Sequence, residues 1–431
     1  MIAVRPPGDK SISHRALLFA ALADGESRLR GLGDGGDVRS TIGVVRALGV
    51  PVETVQTERG LDATVCPDGR LSEPGHTLDC GNSGTTARLT TGILAGLGIG
   101  GTLDGDASLR TRPMRRVVYP LQAMGARVDY LDVGDRLPLA LRSRATGSLR
   151  SLRHRPRVAS AQVKSAILLA GVLDRVAVEV QEPGVSRDHT ERLLAALGAP
   201  IEAGQTPAGP VVTFEPGGWD GALRPLQMEI PGDPSSAAFM VGAALLLRRP
   251  IRIDGVSDNP TRTGVLEVFE EMGASIEREV GEIRCGEPVC SWIVDPPERL
   301  RAFDVGGARI PALIDELPLL SVLAVRAVGR SSIRDAEELR VKESDRIDWL
   351  ARNLEAIGVT IDEREDGLTI EGTTSRLVGR LGAGGDHRIA MAFGVLGATP
   401  AADIEHLDPG CAGVSYPRFW DDLEGVTRWT K

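Results

Sequence analysis

One pattern recurs along the whole chain and limits the folds that it can adopt. A glycine follows an apolar helical segment and precedes a strand-like segment at five places, roughly 75 residues apart. These glycines are Gly49, Gly125, Gly198, Gly273 and Gly358. Glycine suits the left-handed backbone that ends many helices. The spacing exceeds common solenoid periods, so each repeat must contain more than one hairpin.

Each repeat combines helices with strands. In the first repeat, a polar turn precedes an apolar helix at residues 16–23, and a short strand is predicted at 27–32. A second helix is predicted from about 37 to 48, and strands at 50–55 and 61–65 follow the glycine. The hydrophobic residues change from helical to alternating spacing at these points. The sequence therefore predicts an α/β fold.

A polar segment opens the first helix of each repeat. The six openings are Asp9-Lys10-Ser11, Asn82-Ser83-Gly84-Thr85, Ser160-Ala161-Gln162, Asp233-Pro234-Ser235-Ser236, Asp315-Glu316-Leu317-Pro318 and Gly385-Asp386-His387-Arg388. Because Pro7-Gly8-Asp9 and Pro231-Gly232-Asp233 are nearly identical, the repeats form two sets of three. Ordinary N-capping by Ser, Asn and Asp is the simplest explanation of these openings. Several helix N-termini facing one cleft would also bind anions.

Basic side chains follow several of these openings, at Lys10, Arg88, Lys164 and Arg388. Positive charge is unfavourable at a helix N-terminus, so we expect a negative group to compensate each one. Of 50 Lys and Arg residues only four are lysines, and three of these lie in polar motifs. Chance is the alternative explanation of that placement.

Composition excludes several classes of protein. A net charge of −9 and an aromatic content of 3% argue against a nucleic-acid-binding surface. The longest apolar stretch, residues 237–247, is too short to cross a bilayer, and residues 1–5 do not resemble a signal peptide, so we expect a cytoplasmic protein. Five scattered cysteines and six histidines without ligand spacing predict neither a disulfide framework nor a metal site.

Five motifs in order resemble those of the 5-enolpyruvylshikimate-3-phosphate synthase family, between about residues 7 and 420. They are Gly8-Asp9-Lys10-Ser11-Ile12-Ser13-His14-Arg15, Gly81-Asn82-Ser83-Gly84-Thr85-Thr86-Ala87-Arg88, Arg112-Pro113-Met114, Leu339-Arg340-Val341-Lys342-Glu343-Ser344-Asp345-Arg346 and Gly385-Asp386-His387-Arg388. The segment Ser160-Ala161-Gln162-Val163-Lys164-Ser165-Ala166 resembles the bacterial subgroup called class II.

The resemblance implies a fold of two similar globular domains, each built from three βαβαββ units around buried helices. One domain is expected at 9–228, and the other at 1–8 plus 229–431. The active site of this family lies in the cleft between the domains. The resemblance also implies a monomer.

The implied reaction adds the 5-hydroxyl of shikimate 3-phosphate to C2 of phosphoenolpyruvate and then eliminates phosphate. It needs phosphate and carboxylate clamps, a general acid and a general base, but no cofactor and no metal. The resemblance makes Asp315 the base and Glu343 the acid, with Lys10 bridging both substrates. An N-cap role for Asp315 and a helix salt bridge for Glu343 are the simpler alternatives.

The resemblance also assigns two sets of binding residues. For shikimate 3-phosphate they are Lys10, Ser11, Arg15, Ser160, Ala161, Gln162, Ser186, Arg187, Asp315 and Lys342. For phosphoenolpyruvate they are Lys10, Asn82, Gly84, Arg112, Gln162, Glu343, Arg346, His387 and Arg388. Arginine suits such clamps because its fork matches phosphate and carboxylate groups. The alternative is that the 10–15 stretch is a solvated helix start and that the arginines are surface residues.

The chain departs from the family pattern at two positions. Val414 stands where many members have a lysine that contacts phosphoenolpyruvate, and Glu338 stands where they have an asparagine. Lys164 and Arg116 are candidates for the missing charge, although Lys164 could equally be a surface charge or a neighbour of the site. Gly84 leaves room for the family inhibitor glyphosate, so we expect sensitivity.

Two other functions are alternatives to this transferase reaction. A related transferase family acts on UDP-N-acetylglucosamine, but it carries a cysteine on the loop at 105–112 and a Lys-Asn pair where this chain has Lys10-Ser11. A non-catalytic binding module or an RNA-processing cyclase with a similar repeat fold is the other alternative. A non-catalytic relative should lack Asp315, Glu343 or Lys10, and this chain has all three.

Overall fold

The computed structural model describes residues 1–69 and 71–428. They divide into two compact units. The inserted unit is Gly8–Ile230 with Ile283–Glu287, and the terminal unit is Met1–Pro7, Pro231–Glu282 and the chain from Pro288 onward. The sequence-based boundaries did not assign the short segment Ile283–Glu287 to the first of these units.

In the inserted unit, each repeat supplies a first helix, a second helix and strands. Its α-helices are Lys10–Ala20, Gly36–Ala47, Gly84–Leu97, Arg115–Met124, Ala161–Asp174 and His189–Ala196. Its strands are Ser27–Leu32, Val52–Thr57, Gly60–Val65, Leu78–Asp79, Gly101–Asp104, Val128–Tyr130, Leu139–Leu141, Leu152–His154, Val178–Gln181, Ile201–Thr206, Gly209–Phe214 and Gln227–Glu229. A 3₁₀ helix covers Leu109–Thr111.

The three sheets of this unit share one connectivity. In each sheet, one parallel pair of strands continues into two antiparallel pairs. For example, Ser27–Leu32 pairs in parallel with Gln227–Glu229 and antiparallel with Gly60–Val65, which pairs antiparallel with Val52–Thr57. The repeated sequence pattern therefore corresponds to a repeated strand connectivity.

The first helices of the three repeats form the core of the inserted unit. Small residues allow two of them to pack closely: a Cβ added to Gly92 would lie 2.5 Å from the carbonyl oxygen of Ala166. Any larger residue at position 92 would separate the helices Gly84–Leu97 and Ala161–Asp174. The tight packing fixes the helix N-termini, and the polar openings with them, relative to one another within this unit.

The terminal unit repeats the plan around its own hydrophobic core. Its α-helices are Pro234–Leu247, Gly264–Glu271, Ile310–Leu313, Leu317–Ala324, Arg346–Ala356, His387–Gly397 and Phe419–Arg428. Its strands are Ile2–Val4, Ile251–Ser257, Ser275–Arg284, Glu287–Asp295, Asp304–Val305, Arg330–Ile333, Ile361–Arg364, Gly367–Glu371, Leu377–Leu381 and Ala402–His406. The 3₁₀ helices are Gly307–Arg309, Glu337–Val341 and Pro409–Val414. Two four-stranded sheets and one two-stranded sheet result.

The local signals in the sequence correspond to real helix ends. The five repeated glycines all have φ between 79° and 110°, which is the left-handed region that favours glycine. Side chains of Asp9, Ser83, Asp233 and Asp386 cap helices by accepting backbone N–H groups. At the fifth opening the N-cap is Glu316, because the backbone at Asp315 follows directly from the preceding helix Ile310–Leu313. The N-cap alternative for Asp315 is therefore wrong.

In the part of the chain that the structure describes, no helix has the length and apolar character needed to cross a membrane.

Candidate active site

The first opening carries a lysine that is paired with a distant carboxylate. Lys10 is the first residue of the helix Lys10–Ala20, and its Nζ lies 3.0 Å from Oδ2 of Asp37. The next residue, Ser11, accepts a long hydrogen bond of 3.4 Å from Nη1 of Arg187. The structure thus brings Lys10 and Ser11 of the first motif together with Arg187 of another. Asp37, which was left out of the predicted site, compensates the lysine at the helix N-terminus.

Arg15 is a buried connector between three helices. Its Nε donates to Oγ1 of Thr190 at 2.7 Å, Nη2 donates to Oγ of Ser165 at 3.1 Å, and Nη1 donates to the carbonyl of Ser11 at 2.9 Å. Burial lowers the pKa of the guanidinium to about 10, although Glu191 and Asp9 act in the opposite direction. It therefore remains charged at neutral pH, and it ties the Ser11 backbone to the third repeat.

Ser160 and Ser186 converge on one carboxylate that the sequence did not reveal. Ser160 precedes the helix Ala161–Asp174, and its backbone N–H donates to Oε1 of Glu182 at 2.7 Å. The hydroxyl of Ser186 donates to the other oxygen, Oε2, at 2.6 Å. A single side chain, Glu182, therefore holds two segments that were predicted to bind the same phosphate.

Lys164 completes this arrangement. Its Nζ lies 2.8 Å from Oε2 of Glu182 and 2.7 Å from Oε1 of Glu191, and its side chain is 4% exposed. Burial opposes the charge, but the two glutamates together raise the pKa of the ammonium above its ordinary value. The alternative of a surface charge is wrong. Lys164 is committed to two carboxylates, while Arg116, the other candidate for the missing charge, is exposed.

The second opening places an amide and a guanidinium side by side. Nη2 of Arg112 donates to Oδ1 of Asn82 at 2.5 Å and to Oγ of Ser108 at 3.2 Å. Asn82 in turn donates from Nδ2 to Oδ2 of Asp106 at 2.7 Å. Two predicted phosphoenolpyruvate-binding residues are thus in direct contact. Asn82 lies just before the helix Gly84–Leu97, and Arg112 follows the 3₁₀ helix Leu109–Thr111.

Gly84 lies against a second arginine that was absent from the predicted site. A Cβ at Gly84 would lie 2.6 Å from Nη1 of Arg88. Arg88 donates from Nη1 to Oε1 of Gln162 at 2.6 Å and from Nη2 to the carbonyl of Pro113 at 3.1 Å. The signal for Arg88 was available, because it is one of the basic residues found in the first turns of the core helices.

In the terminal unit, one buried guanidinium holds the predicted acid and base. Arg346 is 1% exposed, and its Nη2 lies 2.7 Å from Oε2 of Glu343. Its Nε lies 2.8 Å from Oδ2 of Asp386, and its Nη1 lies 3.6 Å from Oδ1 of Asp315. Burial opposes the charge, but Asp386 and Glu343 raise the pKa of this guanidinium above its ordinary value. Arg346 is therefore always charged.

Asp315 has a second arginine beside it. Nε of Arg388 lies 3.4 Å from Oδ1 of Asp315, and Nη1 donates to the backbone carbonyl of the same residue at 2.9 Å. Asp386 accepts the backbone N–H of Arg388 at 2.9 Å and the hydroxyl of Ser344 at 3.0 Å. Four predicted residues, Asp315, Glu343, Arg346 and Arg388, thus form one group, and Asp386 is the carboxylate that connects them.

A fully buried carboxyl lies next to this group. Ser235 donates its hydroxyl to Glu316, and Nη2 of Arg262 donates to the same Ser235 Oγ at 3.0 Å. Burial raises the pKa of Glu316, and the neighbouring Asp315 raises it further. The family resemblance assigned a role to Asp315 but none to its neighbour Glu316, so Glu316 was not among the predicted site residues.

The remaining predicted residues have different surroundings. Lys342 is partly exposed, and its Nζ lies 3.7 Å from Oε1 of Glu338. Glu338, which departs from the family pattern, thus lies beside a predicted site residue. His387 is buried at the start of the helix His387–Gly397. Val414 ends the 3₁₀ helix Pro409–Val414. Within residues 1–69 and 71–428, no three His, Cys, Asp or Glu side chains are grouped so that they could hold a metal ion.

Comparison with known proteins identifies the family of the chain. The family described as "EPSP synthase (3-phosphoshikimate 1-carboxyvinyltransferase)" matches residues 2–423. A 3-phosphoshikimate 1-carboxyvinyltransferase of Gloeobacter violaceus is 47% identical over 429 residues, which cover 97% of this chain and 95% of the relative. A protein of the same name from Chloroflexus aurantiacus is 44% identical over 425 residues, covering 98% and 96%.

A solved structure gives the same result. The EPSP synthase of Acinetobacter baumannii superposes with a TM-score of 0.83 at 35% identity, covering 98% of this chain and 95% of that one. The predicted fold of two α/β domains with repeated units is thereby confirmed. The chain belongs to the EPSP synthase (3-phosphoshikimate 1-carboxyvinyltransferase) family.

Proposed function

We propose that this protein transfers the enolpyruvyl group of phosphoenolpyruvate to the 5-hydroxyl of shikimate 3-phosphate and releases phosphate, a step of the shikimate pathway. The observation that carries the proposal is the placement of Asp315 and Glu343 on one buried guanidinium, that of Arg346. A base and an acid held by the same cation can act in one addition step.

The inserted unit supplies most of the groups for shikimate 3-phosphate. Ser160 with the first N–H groups of the helix Ala161–Asp174, and Ser186 with Arg187, bind its phosphate. A helix N-terminus and a guanidinium are both suited to a phosphate dianion. The shared contact of Ser160 and Ser186 with Glu182 supports this assignment. Ser11, Arg15, Gln162 and Lys342 complete the binding of the ring and its carboxylate.

Phosphoenolpyruvate is bound by Lys10, Arg112, Arg346 and Arg388 together with Asn82, Gly84, Gln162 and His387. Arginine forks match both its phosphate and its carboxylate. One geometric feature supports the role of Arg346. Its Nη1 is buried yet has no hydrogen-bond partner among residues 1–69 and 71–428. An unsatisfied buried N–H group of a charged side chain is costly, and an anionic ligand would satisfy it.

The protons move through the two carboxyl groups. As the 5-oxygen attacks C2 of phosphoenolpyruvate, Asp315 takes the hydroxyl proton and Glu343 gives a proton to C3, which becomes a methyl group. The tetrahedral adduct then loses phosphate from C2 and a proton from the methyl group, and the enol ether forms. Arg346 and Arg388 stabilise the negative charge that moves through these steps.

Phosphate release by the purified protein tests this function. We expect release from phosphoenolpyruvate with shikimate 3-phosphate as acceptor, without added metal, and none with UDP-N-acetylglucosamine. Asp315→Ala should abolish it. Release with the sugar nucleotide instead would assign the chain to the other enolpyruvyl transferase reaction. No release with either acceptor would favour a non-catalytic member.

Three further properties belong to this proposal. The protein acts as a monomer in the cytoplasm, and glyphosate inhibits it by occupying the phosphoenolpyruvate site. Gly84 has no side chain that would crowd the inhibitor, while Val414 offers no charge to its phosphonate. Inhibition that is competitive with phosphoenolpyruvate is the expected result. Noncompetitive inhibition or none would contradict it.

A further inference from the structure

Four charged side chains are buried together beside the serines assigned to the phosphate. They are Lys164, Glu182, Glu191 and Arg15, each at most 4% exposed as a whole residue. Lys164 bridges the two glutamates, and Arg15 lies one residue away from Glu191, on Thr190. Two cations and two carboxylates give the cluster no net charge.

Burying such charges gives little stability. Moving ions out of water costs roughly what their attraction returns, so apolar residues of the same size would serve a core as well. The cluster must therefore be explained by what it contacts. Two of its members contact residues assigned to the substrate. Arg15 donates to the Ser11 carbonyl, and the two oxygens of Glu182 receive the Ser160 backbone N–H and the Ser186 hydroxyl.

Glu182 lies close to where a phosphate would bind. A phosphate oxygen bonded to Ser186 Oγ at about 2.7 Å would lie within about 5 Å of Glu182, since the Ser186–Glu182 contact is itself 2.6 Å. At that distance a carboxylate without a counter-ion would repel a phosphate dianion strongly. Lys164, at 2.8 Å from the same oxygen, Oε2, neutralises it.

The Ser186 hydroxyl has a single proton, so it can donate to only one acceptor at a time. In this structure it donates to Glu182. When a phosphate oxygen takes that proton, Glu182 keeps the Ser160 N–H and Lys164 as partners. The ammonium is thus needed in both states. It holds Glu182 in place before binding, and it compensates the carboxylate when the hydroxyl turns to the phosphate.

We propose that Lys164 and Glu182 are positioning residues of the phosphate site for shikimate 3-phosphate. Glu182 holds Ser160 and Ser186 at the separation that the phosphate needs, and Lys164 cancels the charge that would repel it. The proposal rests on the proposed function, specifically on the assignment of Ser160 and Ser186 to that phosphate.

Steady-state kinetics of Lys164→Met, with Lys164→Arg and Glu179→Gln as controls, test it. We expect Lys164→Met to raise the KM for shikimate 3-phosphate about tenfold, the effect of losing one charge-assisted contact. The kcat, and the KM for phosphoenolpyruvate at saturating shikimate 3-phosphate, should change less than about threefold. Lys164→Arg should stay close to the parent protein. Glu179→Gln, on the strand Val178–Gln181, where the carboxylate lies 3.7 Å from an exposed arginine, should have no effect.

The double variant Lys164→Met/Glu182→Gln separates this role from a general loss of structure. It removes one charge of each sign, so the KM for shikimate 3-phosphate should return to within about threefold of the parent value. No recovery in the double variant, or an equal fall of kcat in Lys164→Met, would overturn the proposal.

A second measurement applies if Lys164→Met fails to fold. Glu182→Gln keeps the shape of the side chain, and its effect on the KM for shikimate 3-phosphate should be smaller in a Ser186→Ala background than in the parent protein. Additive effects would contradict the proposal. If Ser186→Ala and Ser160→Ala alone leave this KM unchanged, the assignment of these serines to the phosphate fails instead.

Discussion

Each unit of the molecule contains a buried cation held between carboxylates, but the carboxylates differ in exposure. In the inserted unit, the side chains of Glu182 and Glu191 around Lys164 are 2% and 5% exposed. In the terminal unit, Arg346 also contacts a sealed carboxylate, Asp386 at 0% exposed, but its other two, Asp315 and Glu343, are 15% and 22% exposed. A sealed carboxylate can orient its neighbours but cannot exchange protons with a substrate. A partly open one can do both.

The two clusters also differ in their cation, which is an arginine in the terminal unit and a lysine in the inserted unit. The planar fork of Arg346 reaches three carboxylates from three separate segments, ending at Asp315, Glu343 and Asp386. Lys164 is a compact charge that bridges two glutamates. Arginine has an always-charged group with several fixed donors, so it can organise acid and base without taking part in proton transfer. The comparison predicts that the terminal cluster controls turnover and the inserted cluster controls binding.

The largest effect should come from the terminal cluster. Because general acid–base catalysis contributes about 10²–10⁴-fold, Asp315→Asn and Glu343→Gln should each lower kcat by that factor. The matched control is Asp304→Asn in the same unit, whose exposed side chain pairs with Arg334 at 2.9 Å. It should retain full activity. If Asp315→Asn or Glu343→Gln kept more than a tenth of the parent kcat, the assignment of acid and base would be wrong.

The next test removes the buried cations themselves. Arg346→Met and Lys164→Met should each lower the free energy of unfolding by about 3–5 kcal/mol, because each leaves buried carboxylates without a counter-charge. Only Arg346→Met should also abolish turnover. Urea unfolding and initial rates measure the two properties separately.

A control on the same helix limits the interpretation. Arg352 pairs with Asp348 at 2.7 Å, but its side chain is 69% exposed. Arg352→Met should cost less than about 1 kcal/mol, as exposed ion pairs do. An equal loss in Arg352→Met would mean that burial is not what distinguishes the two clusters.

A smaller effect is expected at Gly84, the first residue of the helix Gly84–Leu97 in the inserted unit. Gly84→Ala places a methyl group 2.6 Å from Nη1 of Arg88, which must move away from Gln162. We expect the KM for phosphoenolpyruvate to rise about tenfold, as for overpacking by one methyl group, with a larger rise in the inhibition constant of glyphosate. Gly43→Ala, whose Cβ meets nothing within 4 Å, is the control. Unchanged values for both ligands would show that Arg88 adjusts without consequence.

The smallest effect concerns acid, which should weaken the inserted unit first. His14 is fully buried against Thr41, and burial lowers its pKa from 6.5 to about 3, with Lys10 and Arg15 acting in the same direction and Asp37 against it. Below pH 6.5 the unfolded chain therefore takes up a proton that the folded chain does not. Stability contributed by the neutral ring is present above pH 6.5 and is lost progressively as pH falls towards 3.

At pH 5.5 this loss is about 1 kcal/mol relative to pH 7.5. In the terminal unit burial also lowers the pKa of His406, but this ring is only partly buried, so we expect a smaller loss there. The pKa of Asp386 in the terminal cluster is lowered from 3.8, despite burial, by Arg346, so its contribution is lost only in stronger acid. Hydrogen exchange at the two pH values should show weaker protection in the inserted unit, and His14→Gln should remove the difference. The exposed His76→Gln is the control. Equal acid sensitivity in His14→Gln and the parent protein would rule out His14 as the cause.

Local chemistry made much of the fold predictable. Glycine at a left-handed helix end and Asp or Ser at an N-cap act within a few residues, so Gly49, Gly125, Asp9 and Ser83 could be interpreted directly. The site residues were predicted differently, from the resemblance to the family motifs, and their roles stay a prediction. The N-cap alternative for Asp315 was wrong, because a helix that ends at Leu313 changes the backbone before it and moves the N-cap to Glu316.

The partners of the buried charges could not be predicted individually. The sequence indicated that a negative group lies near Lys10 and Lys164, but it did not identify that group. Asp37 lies 27 residues from Lys10, and Glu182 lies 18 residues from Lys164. Such pairs are set by tertiary packing. They leave no spacing in the sequence, and only coordinates reveal them.

The division between binding and turnover is tested most directly by measuring kcat and the KM for shikimate 3-phosphate in Lys164→Met and Glu343→Gln under the same conditions. The account predicts that Lys164→Met raises KM about tenfold and keeps kcat, whereas Glu343→Gln lowers kcat at least about 100-fold and keeps KM within about threefold. A change of the same parameter in both variants would contradict it.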